Sequence, residues 1–189
     1  LVRIKNISEE VTKITPIAAI PLYGRSADNI RDHRHVTSLL HRIETTDTGV
    51  LVTPTLSFDE RGHQVNHMTY YCVGWSGNGE KPVDFYPTAE DFVGEGGNFE
   101  RPYAIVKNAE GVKAGTKIEG LEAVGGLHFS EITLEPEEEC SYLIFTGITE
   151  DIQEIRNLSK TYTTREKVLE ELEKTKAYWQ EKVNVAYHT

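Results

Sequence analysis

The sequence predicts a mainly β protein, an antiparallel sandwich followed by C-terminal helices. Three observations carry that prediction. Short Val-, Ile-, Thr- and Tyr-rich runs recur about every ten residues between turn signals. No helical period separates them. Beyond Gly147 the apolar spacing lengthens from two residues to about 3.6. Length allows one large domain or a small pair, 189 residues in all. Hydrophobic residues make up 38% and charged ones 26%, a globular balance that argues against wholesale disorder. The longest apolar stretches, at 17–22 and 142–145, fall far short of the ~20 residues a spanning helix needs, so no membrane partner is expected. With 30 acidic against 20 basic side chains and a pI near 5.2, general nucleic-acid binding is not expected either.

The first strand is read in Val2-Arg3-Ile4-Lys5, which alternates apolar and charged, and Asn6-Ile7-Ser8-Glu9-Glu10 supplies a polar turn. Residues 11–23 return as an extended run in which Pro16 and Pro21 require a strand margin or a bulge. Residues 35–43 read as the next strand, and Asp47-Thr48-Gly49 turns the chain into Val50-Leu51-Val52-Thr53. Thr69-Tyr70-Tyr71-Cys72-Val73 is a strand ending at Gly74, before a reversal at Ser76-Gly77-Asn78-Gly79. Two further strands, 127–134 and 140–146, flank the acidic corner Glu135-Pro136-Glu137-Glu138-Glu139.

The domain division follows from the change of period: a β-sandwich over 1–147 and helices over 148–189. In the first helix Ile148, Ile152, Ile155 and Leu158 share a face, with Thr149 as N-cap and Asp151 near the positive end of the dipole. The second opens on the capping-box pattern Thr163-Thr164-Arg165-Glu166. It carries Val168, Leu172, Trp179 and Val183 as a stripe beside Leu169, with Glu170–Lys174 pairing on the solvent side. Cys72 and Cys140 form no disulfide framework and no CxxC pair, which points to a reducing compartment, the cytoplasm. The opening at Leu1, directly in strand pattern and without signal-peptide features, suggests a piece of a longer polypeptide.

Charge is unevenly spread. Between Glu131 and Lys182 stand thirteen acidic and seven basic residues, whereas between Arg25 and Arg42 four Arg and three His face only two Asp. The string Asp28-Asn29-Ile30-Arg31-Asp32-His33-Arg34-His35 is therefore the most site-like feature of the chain. Arg presents a planar fork suited to phosphate, carboxylate or paired sugar hydroxyls. The bland alternative is an Arg–Asp network pinning a loop. A metal site on His33 and His35 would need both on one strand face and a third ligand, but Glu44 lies nine residues past His35, so no metal or other cofactor is expected. The cluster Gly94-Glu95-Gly96-Gly97 lacks the Lys-Ser/Thr of a phosphate loop and reads as a compact turn among Phe85, Tyr86, Phe92 and Phe99. Asp91, Glu95 and Glu100 lie nearby, yet nothing marks any carboxyl as a general acid, and no catalytic residue is assigned.

The string from Pro21-Leu22-Tyr23-Gly24-Arg25-Ser26 through Asn29, Arg31, His33 and Arg34 to His41-Arg42 resembles the N-terminal β-domain of glycoside hydrolase family 94. So do Thr55-Leu56-Ser57-Phe58-Asp59-Glu60-Arg61-Gly62-His63, Phe85-Tyr86-Pro87, Phe92-Val93-Gly94-Glu95-Gly96-Gly97, Thr133-Leu134-Glu135-Pro136 and Trp179-Gln180-Glu181-Lys182-Val183. The likeness spans nearly the whole chain and looks closest to cellodextrin phosphorylase-like members. It implies a super-sandwich similar to galactose mutarotase, joined by a helical linker to an (α/α)6 barrel that holds the catalytic Asp and most of the phosphate site. It also implies an inverting phosphorolysis of β-glucosides such as cellodextrins, with oligosaccharide and inorganic phosphate as partners and α-glucose 1-phosphate as product. Homodimers are implied as well, in which a loop of this domain brings an Arg to the partner's sugar site. The resemblance places that loop at residues 29–34, with Asn29, Arg31, His33 and Arg34 as substrate-binding candidates and Arg31 or Arg34 as the reaching side chain. On this reading the chain alone is expected to be inactive.

Two other classes compete. A free-standing carbohydrate-binding module would display Tyr70, Tyr71 and Trp75 on an open sheet, although Tyr70 and Tyr71 must point to opposite faces. A mutarotase-like enzyme would use His33, His35, His41 or His128 with a carboxylate.

Overall fold

The computed structural model describes residues 1–24, 34–59 and 62–183. Six strands form the larger sheet, in the order β1 (Val2–Lys5), β13 (Glu139–Thr149), β8 (Thr69–Ser76), β5 (Gly49–Pro54), β4 (His41–Thr45) and β10 (Lys117–Glu119). A three-stranded sheet stacks on it, in the order β3 (Ile17–Leu22), β11 (Ala123–His128) and β9 (Asp84–Thr88). Two small ribbons complete the β structure, β12 (Ile132–Leu134) with β2 (Thr12–Ile14) and β6 (Leu56–Asp59) with β7 (Gly62–Val65). All pairings are antiparallel. The helices are α1 (Arg34–Ser38), α2 (Ala89–Val93), α3 (Tyr103–Val106), α4 (Ile152–Thr161) and α5 (Arg165–Lys182).

Strand alternation builds four layers. Val50 and Val52 of β5, Tyr70 and Cys72 of β8 and Tyr142 of β13 face the small sheet, where Leu22, Phe85, Ala123 and Leu127 meet them. The intervening residues Leu51, Val73, Trp75 and Leu143 point the other way and are covered by Ile155, Leu158 and Tyr162 at α4. On the outer face of the small sheet Tyr86 and Val124 pack beneath Phe92 and Val93 of α2 and Ala104 of α3. The two sheets approach closely at Gly125, where a Cβ would stand 2.2 Å from that of Cys72. Pro21 is accommodated because β3 is an edge strand.

The structure corrects several element readings. Residues 35–43 are not one strand. His35 lies in α1, a turn closed by Leu40 N–H to the Thr37 carbonyl follows, and β4 starts only at His41. The β-branched Val36 and Thr37 suggested extension, but burial of Thr37 and Ser38 against the sheet edge prevails over local propensity. Run 127–134 divides into β11 and β12, which join different sheets, and β11 begins four residues earlier, through Gly125 and Gly126. β8 passes through Gly74 to Ser76. α2 and α3 interrupt a stretch that reads as turn.

Helix starts shift as well. Asp151, not Thr149, caps α4, its carboxylate accepting from the Gln153 N–H at 2.8 Å. Thr149 remains in β13, where its hydroxyl accepts from the Asp151 N–H at 3.0 Å. The cap of α5 is Thr164 rather than Thr163, and the reciprocal box does not form. Instead Glu166 is bonded to its own backbone N–H and to the Thr164 hydroxyl, which lowers its carboxyl pKa.

Candidate functional site

Gly24 and α1 flank the segment 25–33, and both stand at one corner of the sandwich, beside His41 at the start of β4 and Leu121–Ala123 at the start of β11. Asn29, Arg31 and His33 lie outside the described residues, and so does the side chain of Arg34, the first residue of α1. What the structure does place is the support. Leu22 of β3 pairs with Ala123 of β11, His41 of β4 pairs with Pro54 of β5, and the Gly120 N–H donates to the His41 carbonyl at 3.0 Å. His41 Nδ1 is 3.1 Å from the Leu121 carbonyl, which joins the two sheets at this corner. A Cβ on Gly24 would meet Pro54 Cγ at 2.8 Å and His41 Nε2 at 3.1 Å, so the chain can leave β3 here only as glycine or with displacement of its neighbours.

Exposed apolar side chains stand around this corner among polar ones. Val36 of α1 and Leu39 in the turn after it are exposed, Leu39 by 64%, and the position of a Gly120 Cβ is 3.9 Å from the Leu39 carbonyl oxygen. Tyr23, Phe99 and Leu121 are also exposed near His41. A groove of about 540 Å³ runs between the Gly94–Gly97 turn and Leu121–Glu122. The glycine turn is anchored from within, as expected. Phe92 lies 5.8 Å from both Tyr86 and Phe99, while Thr88 caps α2 by accepting from the Asp91 N–H and donates to the Asp91 carboxylate at 2.7 Å. Asp91 is thus engaged as a capping group.

The competing sites fare differently. Tyr70 is buried between the sheets, and Tyr71 packs on the opposite side beneath α4. Trp75 stacks on Phe145 with centroids 5.0 Å apart and donates from its indole nitrogen to the Tyr162 carbonyl at 2.8 Å. Tyr70 is thus enclosed between the sheets while Tyr71 and Trp75 pack under α4, and the three offer no open platform for a sugar ring.

His128 Nδ1 is 2.6 Å from Asp84 Oδ1, its cross-strand neighbour. That pair is roofed by the loop before β10. The Tyr86 hydroxyl donates to the Ala109 carbonyl, Lys113 Nζ donates to the Val83 carbonyl, and a Cβ on Gly111 would meet Asp84 Oδ1 at 2.6 Å. Burial, with the Asp84 charge second, pushes the Tyr86 phenol up to about 12. The arrangement locks a loop; it does not open a catalytic cleft. Among the described residues no group of three or more His, Cys, Asp or Glu side chains is placed to hold a metal ion. His35, in a helix, also removes the shared strand face on which that reading rested. No helix among the described residues is long and apolar enough to cross a membrane.

Residues 1–165 match the family described as glycosyl hydrolase 94, supersandwich domain. The chain belongs to this family. The match ends just inside α5, so the supersandwich domain takes in both stacked sheets, the covering helix α4 and the corner described above. No curated protein matches the chain. Sequence reasoning found the basic segment of the supersandwich domain but not the apolar rim beside it. The available signal was Leu39-Leu40, two adjacent leucines of which a turn can bury only one.

Proposed function

We propose that this supersandwich domain is the non-catalytic β-domain of an inverting carbohydrate phosphorylase, one that cleaves β-glucosides such as cellodextrins with inorganic phosphate to give α-glucose 1-phosphate. Its part is to form a homodimer interface and to wall the sugar site of the partner subunit. The observation that carries this reading is the exposure of the apolar side chains Val36, Leu39, Phe99 and Leu121 around the corner where Gly24 and α1 flank residues 25–33. An apolar patch beside a basic segment is what a protein interface with a polar substrate at its edge requires. Arg31 or Arg34 supplies charge-assisted hydrogen bonds to the sugar, with Asn29 and His33 beside it. The unpaired Cys72 and Cys140 are in keeping with a cytoplasmic enzyme.

Kinetics of the full-length enzyme test the proposal. Loss of a charge-assisted bond is worth about 1.5–3 kcal/mol, so Arg34→Ala or Arg31→Ala should raise the acceptor-sugar KM roughly 10–100-fold while the unfolding midpoint stays put. An unchanged KM for both variants removes the idea.

A further inference from the structure

Helix α3 turns only one of its four residues inward. Ala104 is buried, whereas Tyr103, Ile105 and Val106 are each more than half exposed. Single exposed apolar residues are ordinary, but these three continue a larger surface. Phe99 and Glu122 line the small cavity beside His41, and Leu121 and Glu122 line the groove of about 540 Å³ along the Gly94–Gly97 turn. The same turn walls a second hollow of about 270 Å³ with Arg101, Tyr103 and Lys107. A Cβ on Gly94 would stand 2.7 Å from that of Tyr103, so α3 lies directly against the turn. The glycine turn is thus a wall shared by two hollows, continuous with the exposed side chains at the corner.

The two hollows differ in charge. The first carries Glu90, Glu95 and Glu122 and no cation, while the second shares Glu95 and adds Arg101 and Lys107. The side chains of Arg101, Lys107, Glu90 and Glu95 make no ion pair among the described residues. Unpaired acids on one side of a wall and unpaired bases on the other make a surface complementary to itself. A two-fold axis through the wall brings each side onto its opposite.

We propose that the Gly94–Gly97 turn lies at the two-fold axis of a homodimer. Arg101, Lys107 and the exposed face of α3 of one copy seat against the Glu90, Glu95 and Glu122 groove of a second copy, and the reverse contact forms at the same time. This rests on the homodimer proposed above and extends its interface from Val36 and Leu39 to α3. The apolar side chains supply the attraction, and the charges fix the orientation, because copies set with like hollows together would face Glu with Glu.

Sedimentation velocity of the full-length protein provides the test. Arg101→Glu with Lys107→Glu makes both hollows acidic, and Glu90→Lys with Glu95→Lys makes both basic overall. Each double variant alone should raise the dimer dissociation constant roughly 100-fold. Mixed in equal amounts, the two should pair again, a rescue that a folding defect cannot produce. All four side chains are exposed, so unfolding midpoints should stay put. The proposal is overturned if either double variant dimerises as the unaltered protein does, or if the mixture stays monomeric. Should both dimerise normally while Val36→Glu with Leu39→Glu gives monomers, the homodimer reading stands and its extension to α3 falls. A full-length protein that is monomeric without any substitution removes both.

Discussion

Gly125 stands where β11 crosses β8, with the Cys72 side chain directly against its α-carbon and the Cys72 thiol 3.6 Å from its carbonyl oxygen. Burial pushes that thiol up to about 12, so Cys72 behaves as a small apolar side chain rather than as a nucleophile. A methyl at Gly125 has nowhere to go unless the sheets part. Gly125→Ala should therefore cost about 1–3 kcal/mol, read as a lower urea midpoint at unchanged slope. His41 gives the second prediction at this scale. Its pKa in the folded chain lies below the ordinary histidine value, so the unfolded chain binds the extra proton first as pH falls. The stability this group contributes is whole above about pH 6.5 and is lost on acidification down to the lowered folded-state value. Unfolding midpoints measured across that window should fall for the native chain and fall less for His41→Gln.

Helix α4 is held to the large sheet by a small number of definable contacts, and each can be removed singly. Asp151→Ala deletes the cap that accepts from the Gln153 N–H and should cost about 1 kcal/mol by thermal denaturation. Trp75→Phe keeps the ring contact with Phe145 but strands the Tyr162 carbonyl, for an expected loss of about 1–3 kcal/mol. Most strands were legible beforehand, β1 from its period-two alternation and β5 and β13 from short apolar runs bounded by turn residues. Helix α1 was not. Val36-Thr37 has the composition of a strand, and only the burial of Thr37 and Ser38 at the corner decides otherwise. The caps slipped by one or two residues for a similar reason. Thr149, Asp151, Thr163 and Thr164 are all competent caps, and the length of β13 selects among them.

For the molecule as a whole, the apolar rim is the feature with consequences for assembly. For the proposed dimer of the full-length protein, Val36→Glu combined with Leu39→Glu is expected to convert dimer to monomer in sedimentation velocity. Both side chains are exposed, so the domain itself should lose no more than about 0.5 kcal/mol. A dimer that survives both charges would place the interface elsewhere. The family was legible from long sequence strings, since 1–165 match it as a unit. The corner was only half legible, because a run of Arg and His announces polarity, whereas exposed leucines look like core until the backbone shows which way they turn.

Helix α5 has eighteen residues, none of them buried among those described, and it meets the sandwich mainly through its first turn, where Arg165 bonds Glu139 at 2.8 Å and Val168 packs beside α4. At 1.5 Å per residue it projects about 27 Å, a lever whose fulcrum is the Trp75–Tyr162 joint. A tilt of about 10° at that joint would swing its far tip by about 5 Å, so a half-ångström repacking of one indole is magnified several-fold at the opposite end.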